Sequence, residues 1–316
     1  MQLVTIDDVR SGSPGARLHS GEHLHLSRAA QPGTLEAWLP GTVAAILEGG
    51  SHALDVVRRM VDRVESSSAD ERVALRETGT ILASDTRVLA PIPHPRLIVA
   101  AGLAYKSHLA EMSGTPAPSH PTAFIKASAS VSSPNALLPL PPQASGAVDF
   151  EGELACIFGR ACHLVPASEA LSYLAGYTAA DDLSARDWVK PVWAATAPWE
   201  ARITWEVNIM GKQLPGFTAL GPVLTTTDEI SDPSSLHLTT RLNGQVMQSA
   251  DVSDLIFPIA DVIAYLSRWY TFLPGDVLLT GTPAGVGVGR KPSVFIKKSD
   301  VVEVHIDRIG SLVTRF

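Results

Sequence analysis

Residues 148–158 read Val148-Asp-Phe-Glu-Gly-Glu-Leu-Ala-Cys-Ile-Phe158. Because side chains of a β-strand point to alternate faces, the pattern predicts a strand with Glu151 and Glu153 on one face. Ala155 and Ile157 share that face, and the opposite face carries apolar residues, namely Phe150, Leu154, Cys156 and Phe158. Two like charges beside apolar neighbours are unfavourable unless a positive group compensates them. The stretch therefore predicts a strand of a β-rich fold with a positive group close to it.

A second acidic pair, Asp181-Asp182, follows the next strand-like run, residues 176–180. Together, Glu151, Glu153 and Asp182 would offer the oxygen ligands that hard divalent cations such as Mg²⁺, Mn²⁺ or Ca²⁺ prefer. The alternative is that they are solvated carboxylates at an exposed strand edge. The first interpretation predicts a metal-dependent enzyme.

Composition narrows the class of protein. The chain has 316 residues, of which 45% are hydrophobic and 18% charged, with a formal net charge of −7. This length suits one large domain and one small domain. The sequence has no block of Lys and Arg and no long apolar run, so we expect neither nucleic acid nor a membrane as partner. Its start, MQLVTIDDVR, is unlike a signal peptide, and we read Cys156 and Cys162 as reduced thiols; both predict a cytoplasmic protein.

The chain divides at a proline-rich linker, residues 91–95, which predicts a small N-terminal α+β domain over 1–90 and a catalytic domain over 91–316. Within the first domain, residues 16–26 predict a hairpin that turns at Ser20-Gly21, and Asn243-Gly244 predicts a type I′ hairpin in the second. Predicted strands of the second domain cover residues 97–101, 122–126, 148–158, 173–180, 205–211, 221–226, 236–242, 245–249, 277–281, 301–306 and 312–316. Predicted helices cover residues 35–47, 52–64, 105–112, 167–173 and 253–269.

A histidine and a glutamate lie three positions apart in the predicted helix 105–112. Residues three apart share one helical face, so His108 and Glu111 can hydrogen-bond. A carboxylate that orients a histidine is the usual arrangement of a general base. The alternative is a solvated pair on a surface helix.

Two lysines and a glycine-rich turn are further candidates. Lys126 and Lys212 each end an apolar run and would balance carboxylates or stabilise an oxyanion, or else be solvated. Residues 275–287 run from a strand into a turn that could bring backbone amides and Thr282 to a substrate carboxylate, or could simply be a tight turn. No Gly-Lys-Ser/Thr follows, so this is not a phosphate loop.

In their order along the chain, these segments resemble the fumarylacetoacetate hydrolase family over residues 90–316. The resemblance is carried by residues 102–112, Phe124-Ile-Lys126, Asp149-Phe-Glu-Gly-Glu153, 176–187, Gly211-Lys212 with Leu220-Gly-Pro222, Asn243-Gly with Gln248, and Pro274-Gly-Asp with 280–287. It implies a mixed β-roll catalytic domain, a homodimer and a Mg²⁺-type ion.

The resemblance also implies a role for each matching residue. It places metal ligands at Glu151, Glu153 and Asp182, the His/Glu pair at His108 and Glu111, and site lysines at Lys126 and Lys212. It implies substrate contacts at Tyr105, Arg186 and Thr282. Two positions depart from the family pattern, because Ala104 and Asp181 stand where asparagine is usual. The sequence 188–202, with three tryptophans, predicts part of the substrate wall. Lys190, Arg202 or Arg186 could bind a second carboxylate there, or Arg186 could be structural instead.

The activity that the resemblance implies is hydrolysis of a C–C bond in a 2,4-diketo acid of the acylpyruvate or fumarylpyruvate type. Such a reaction belongs to the breakdown of small or aromatic-derived acids. In this mechanism His108, oriented by Glu111, activates water, and the lysines stabilise the enolate. The same enolate chemistry would support isomerisation of hydroxymuconate-type diacids, decarboxylation of oxaloacetate-like acids, or dehydration of sugar acids. A non-enzymatic scaffold would be expected to have lost a metal ligand, whereas all three positions are acidic.

Overall fold

The computed structural model describes residues 1–112, 115–142, 146–187 and 195–316. It confirms the predicted class, an α+β protein rich in β-sheet. In these ranges no helix is both long and apolar enough to cross a bilayer.

The strands supply most of the regular structure. In chain order they are β1 (Gln2–Ile6), β2 (Ser13–Arg17), β3 (His23–His25), β4 (Ile81–Leu82), β5 (Val88–Leu89), β6 (Ile98–Gly102), β7 (Thr122–Lys126), β8 (Val131–Ser132), β9 (Val148–Asp149), β10 (Gly152–Phe158), β11 (Leu174–Asp181), β12 (Ser184–Ala185), β13 (Thr218–Thr226), β14 (His237–Leu242), β15 (Gln245–Asp251), β16 (Val277–Leu279), β17 (Val301–Ile306) and β18 (Gly310–Arg315).

The helices are short, apart from two. In chain order they are α1 (Leu26–Ala29), α2 (Val43–Glu48), α3 (Gly50–Glu65), α4 (Ala69–Glu77), α5 (Lys106–Glu111), α6 (Ala167–Ala170), α7 (Pro198–Met210) and α8 (Ile259–Leu266). Short 3₁₀ helices cover Leu35–Trp38, Ser128–Ser130, Leu171–Tyr173, Pro233–Ser235 and Val252–Asp254.

One large mixed sheet organises the molecule, in the order β4-β3-β2-β1-β13-β11-β10-β16-β6-β7. Most neighbours are antiparallel, whereas β16 and β6 are parallel. A second sheet has the order β15-β14-β17-β18, and β9 pairs with β12. Because β1 pairs with β13, the large sheet includes strands from both sides of residue 90. The division into domains 1–90 and 91–316 stays a prediction about the sequence.

Strand β10 is buried on both faces, and its side chains alternate as the sequence predicts. Leu154 and Cys156 pack in one apolar cluster with residues of the second sheet and α8. Ala155 and Ile157 pack in another cluster with residues of α2 and α3. Burying a side chain of the size of Leu154 or Ile157 contributes roughly 1.5–3 kcal/mol, so both layers hold the acidic end of β10 in place.

The predicted strand 148–158 is interrupted at Phe150 and Glu151. There the chain leaves the pairing of β9 with β12 and enters the large sheet as β10. The backbone of Glu151 is satisfied by other partners, since its carbonyl accepts from the Asp182 N–H and its N–H donates to the Asp181 carboxyl. One predicted strand is therefore two strands in different sheets.

Both predicted hairpins are confirmed. β2 pairs with β3 around Ser20-Gly21, and β14 pairs with β15 around Asn243-Gly244. The φ angles of Asn243 and Gly244 are 52° and 81°, and a type I′ turn needs positive values at both positions. Helix α3 confirms the prediction for 52–64.

Three further predicted elements are wrong in type or extent. Residues 205–210 belong to helix α7, which Gly211 caps, and not to a strand. Thr204 is the one buried side chain of this helix, so no apolar periodicity marks it. The predicted helix 253–269 begins only at Ile259, because Pro258 stands before it. The predicted helix 35–47 is split into a 3₁₀ turn and α2 around Pro40-Gly41.

Candidate active site

A cavity of about 570 Å³ brings most of the predicted site residues together, although Tyr105, Glu111 and Lys126 do not line it. Its wall takes residues from β6, β7, β10, α5 and α7. The polar side chains on the wall are His108, Glu151, Glu153, Asp182, Arg186, Asp187, Thr204, Asn208, Lys212 and Thr282. The larger apolar side chains on it are Leu103, Met112, Phe124, Trp205, Val288 and Phe295. The cavity therefore has an acidic end and an apolar wall.

The three predicted metal carboxylates form one buried cluster. Glu151, Glu153 and Asp182 each offer an oxygen, and these oxygens lie within 4.8 Å of one another. The antiparallel register of β10 and β11 sets Gly152 opposite Asp181, which brings the carboxylates beside these two residues together. The alternative of solvated carboxylates at an exposed strand edge is wrong.

Positive side chains neutralise part of this cluster. The Nζ of Lys212 lies 2.5 Å from Oε2 of Glu151 and 2.7 Å from Oδ2 of Asp182, and Arg186 forms an ion pair with Glu151. Burial by itself raises the pKa of Glu151, but the charges of Lys212 and Arg186 outweigh it and lower that pKa to about 2. Glu151 is therefore ionised.

Glu153 is the member of the cluster that no described Lys, Arg or His pairs with at salt-bridge distance. Its Oε2 accepts only a backbone bond, from the Gly281 N–H at 2.7 Å. Burial, and then the charges of Asp182 and Glu151, raise its pKa well above the ordinary value. A hard divalent cation bound by these oxygens would offset this repulsion, so the residues present fit such an ion.

Lys126 supports the cluster from behind. Its Nζ donates to Asp182, to the Lys212 carbonyl at 2.7 Å and to the Phe217 carbonyl at 3.1 Å. Burial lowers its pKa even though Asp182 opposes that shift. All three donors are engaged, and Lys126 is not among the residues that line the cavity. Its predicted catalytic role is not favoured by this placement, whereas Lys212 lies on the wall.

Asp181 stands where the resemblance leads us to expect asparagine. Its Oδ1 accepts from the Glu151 N–H at 2.9 Å, and its buried Oδ2 has no hydrogen-bond partner among the described residues. Burial, and beyond it the charges of Asp182 and Glu151, raise the pKa of Asp181 to about 7. The protonated form therefore persists close to neutral pH.

Of the predicted His/Glu pair, His108 lines the same cavity, and Glu111 contacts it without lining the cavity itself. Nδ1 of His108 lies 3.3 Å from Oε2 of Glu111, and their side chains are only 12% and 16% exposed. The alternative of a solvated surface pair is therefore wrong. Since Nδ1 faces the carboxylate, Nε2 is the nitrogen left for proton exchange.

The backbone amides of the glycine-rich turn bind protein carboxylates. The N–H groups of Gly281 and Gly285 donate to Glu153 and Glu111, and that of Gly287 donates to Asp149. The sequence instead suggested a substrate carboxylate as the acceptor of such amides. These bonds connect the carboxylate cluster with the His/Glu pair.

The hydroxyl of Thr282 is already occupied. It donates to the Gly152 carbonyl at 2.9 Å and accepts from the Gln248 side-chain amide at 2.7 Å. The carbonyl oxygen of that amide accepts from the Gly152 N–H at 2.9 Å. Thr282 lies on the cavity wall, but its predicted hydroxyl bond to a substrate would need one of these bonds to break.

Of the other two predicted substrate contacts, Tyr105 lies in the core and Arg186 lies on the cavity wall. Tyr105 is 0% exposed and packs in the core, because the chain turns at Leu103 and directs the next residues inward. Arg186 lies on the wall, but it already contacts Asp149, Glu151 and Asn208. These roles stay predictions, and the placement of Tyr105 does not favour its role.

Part of the predicted tryptophan-rich wall, residues 188–194 with Lys190, lies outside the described residues. Arg202 pairs with Glu206 on an exposed face of α7 and does not line the cavity. Sequence reasoning missed Trp205 and Asn208, which do line it. Their spacing of three positions is a helical signal that the strand interpretation of 205–211 discarded.

A model of the fumarylacetoacetate (FAA) hydrolase C-terminal domain matches residues 97–316. The human protein named "Oxaloacetate tautomerase FAHD2A, mitochondrial" is 35% identical over 300 residues, which cover 93% of this chain and 87% of the human protein.

Solved structures of proteins from the same family superpose on this chain. A fumarylacetoacetate hydrolase from psychrophilic Exiguobacterium antarcticum superposes with a TM-score of 0.75 at 27% identity, covering 100% of this chain and 98% of that one. A 5-carboxymethyl-2-hydroxymuconate delta-isomerase from Mycobacterium smegmatis superposes with a TM-score of 0.59 at 35% identity, covering 74% and 83%. Because the family model matches residues 97–316 and the human relative is 35% identical over 93% of the chain, this chain belongs to the fumarylacetoacetate hydrolase family.

Proposed function

We propose that this protein interconverts the keto and enol forms of a 2-oxo dicarboxylic acid of the oxaloacetate type. The observation that carries the proposal is that His108, held by Glu111, lines the same cavity as a three-carboxylate cluster. This arrangement places a proton-transfer group opposite a cation site, which is what enolisation of a 2-oxo acid requires. The similarity to a human oxaloacetate tautomerase over 93% of the chain supports this choice.

Each residue has a distinct part in the proposed reaction. A divalent cation at Glu151, Glu153 and Asp182 would supply Lewis-acid polarisation of the 2-oxo group. His108 takes a proton from the substrate carbon through Nε2, while Glu111 holds Nδ1. The same proton then passes from Nε2 to the 2-oxo oxygen, so that the C–H bond that breaks is replaced by the O–H bond of the enol. The Lys212 ammonium stabilises negative charge that develops on the substrate oxygen.

A second candidate is hydrolysis of a C–C bond in an acylpyruvate or fumarylpyruvate. The observation that favours it is the apolar wall formed by Phe124, Trp205 and Phe295, in a cavity larger than a four-carbon acid needs. In this reaction His108 would deprotonate a water, and the apolar wall would hold the acyl end of the substrate. Isomerisation of a hydroxymuconate-type diacid is a close variant of the first proposal.

The deciding experiment supplies the enol of oxaloacetate, acylpyruvates, fumarylpyruvate and hydroxymuconate-type diacids with Mg²⁺ or Mn²⁺. It follows the enol by its ultraviolet absorbance and identifies cleavage products by mass. We expect metal-dependent loss of the oxaloacetate enol without a change of mass, and a fall of about 10²- to 10⁴-fold in His108→Ala. His163→Ala, an exposed histidine outside the site, serves as the control. Cleavage of acylpyruvates without enol turnover would select the hydrolase instead, and inactivity on all of them would reject both.

The identity of the metal ion, the oligomeric state and the location of the protein are further proposals. We propose Mg²⁺ as the resident ion, a homodimer as the assembly and the cytoplasm as the location, although the human relative is named as mitochondrial. Metal analysis of protein purified without chelators, and sedimentation velocity, would test the first two. Manganese or calcium in place of magnesium, or a monomer at micromolar concentration, would contradict them.

A further inference from the structure

The glycine segment, residues 281–289, contacts both halves of the site. At its start, the Gly281 N–H donates to Glu153. Further along, the Gly285 N–H donates to Oε1 of Glu111 at 3.0 Å, while the other oxygen of Glu111 contacts His108. One stretch of backbone therefore sets the relative position of the carboxylate cluster and the His/Glu pair.

The end of the segment lies directly against Glu111. A methyl group added at Gly289 would come within 2.4 Å of Cδ and 2.6 Å of Oε1 of Glu111. Gly289 does not adopt a left-handed φ, so a side chain there would bring no backbone strain, but it would have to displace the end of the Glu111 side chain. Only glycine leaves room for the carboxylate in this position.

The segment is itself held firmly from the opposite side. Asp149 accepts from the N–H groups of Gly287 and Val288 at 2.7 and 3.1 Å. The guanidinium of Arg290 donates to the carbonyls of Gly285 and Met247. A methyl group at Gly285 would also lie 2.1 Å from the Met247 carbonyl oxygen, so the segment cannot shift easily to relieve crowding at Gly289.

We propose that Gly285 and Gly289 are positioning residues for His108. The Gly285 N–H donates to the Glu111 carboxylate, and the absence of a side chain at Gly289 leaves room for that carboxylate. Glu111 in turn orients the histidine. The inference rests on the proposed proton transfer by His108. A misplacement of about 1 Å can lower turnover by about 10²-fold, so a small displacement of Glu111 is enough to be measured.

The test is a double-mutant cycle between Gly289→Ala and Glu111→Ala, with Gly41→Ala as the matched control because a methyl group there meets nothing within 4 Å. We expect Gly289→Ala to lower both the melting temperature and, by about 10- to 100-fold, kcat/KM. In the Glu111→Ala background both effects should largely disappear, since the side chain that the methyl group displaces is gone. Calorimetry should give an unchanged Mn²⁺ affinity in Gly289→Ala.

Equal effects of Gly289→Ala with and without Glu111 would overturn the proposal, as would wild-type turnover in Gly289→Ala. If that variant does not fold, Arg290→Met replaces it, because this change loosens the segment without adding a clash; its several-fold loss of kcat/KM should also vanish in Glu111→Ala. A wild-type protein inactive on every 2-oxo acid would reject the proposed function, whereas the stability cycle would still decide whether Gly289 acts through Glu111.

Discussion

Nζ of Lys212 lies 2.5 Å from Oε2 of Glu151, inside the carboxylate cluster that would bind a metal ion. Burial disfavours the ammonium, but the charges of Asp182 and Glu151 outweigh this and raise the pKa of Lys212. The lysine and a bound cation would therefore share two carboxylates, Glu151 and Asp182. The lysine partly neutralises the cluster and keeps a positive charge on the cavity wall.

Replacing Lys212 by methionine should separate metal binding from catalysis. Without the ammonium the cluster is more negative, so we expect tighter binding of Mn²⁺ by calorimetry. Turnover should nevertheless fall by about 10²- to 10³-fold, because charge on the substrate oxygen loses a stabilising partner. Lys298→Met, an exposed lysine, is the control. Weaker Mn²⁺ binding together with full turnover would contradict this role of Lys212.

Replacing Lys126 by methionine should affect folding more than chemistry. The change leaves Asp182 and two backbone carbonyls without their buried partner. Removing one member of a buried ion pair destabilises a protein by about 3–5 kcal/mol. Urea denaturation should show this loss, against less than about 0.5 kcal/mol for Lys298→Met. Wild-type stability with lost turnover would instead support the catalytic role predicted from the sequence.

Gly152, between two carboxylates of the cluster, should not tolerate a side chain. A methyl group there would lie 2.0 Å from Oγ1 of Thr240. We expect Gly152→Ala to lower the free energy of unfolding by about 1–3 kcal/mol, as overpacking of a core does. Thr240→Ala should restore much of this loss, since that buried Oγ1 has no hydrogen-bond partner among the described residues. Denaturation curves showing equal loss with and without Thr240 would argue against this contact as the cause.

Asp181 should make the metal-free protein less stable as pH rises. An unfolded aspartate ionises near pH 3.9, whereas folded Asp181 stays protonated up to about 7, so between about pH 4 and 7 the folded state binds more protons. The free energy of unfolding therefore falls across this window and does not recover above it.

Asparagine at position 181 cannot ionise, so Asp181→Asn should be more stable than the wild type near pH 8 and should depend less on pH between about 5 and 8. Denaturation in the presence of a chelator would measure both curves. The difference between them isolates Asp181, because Glu153, whose pKa is also raised, is present in both proteins. Parallel curves would show that the carboxyl of Asp181 is already ionised in the folded state.

Much of this site can be predicted from the order of residues in the sequence. The alternation around Glu151 and Glu153 predicts a buried strand with acidic side chains at one end, and the spacing of His108 and Glu111 predicts their contact. Local periodicity fails for 205–211, where a helix with only one buried side chain has no apolar stripe to mark it. Trp205 and Asn208 were missed for this reason.

By itself the sequence determined which side chains are candidates for the carboxylate cluster and the His/Glu pair, because alternation along a strand and spacing on a helix are local properties of the chain. Tertiary structure decided which of them share a space. Only the register of β10 against β11 brings Asp182 to Glu151, and only packing turns Lys126 away from the cavity while Lys212 lies on its wall. The amides of the glycine segment likewise find Glu111 and Asp149 across 174 and 138 positions of sequence, distances that no local pattern encodes.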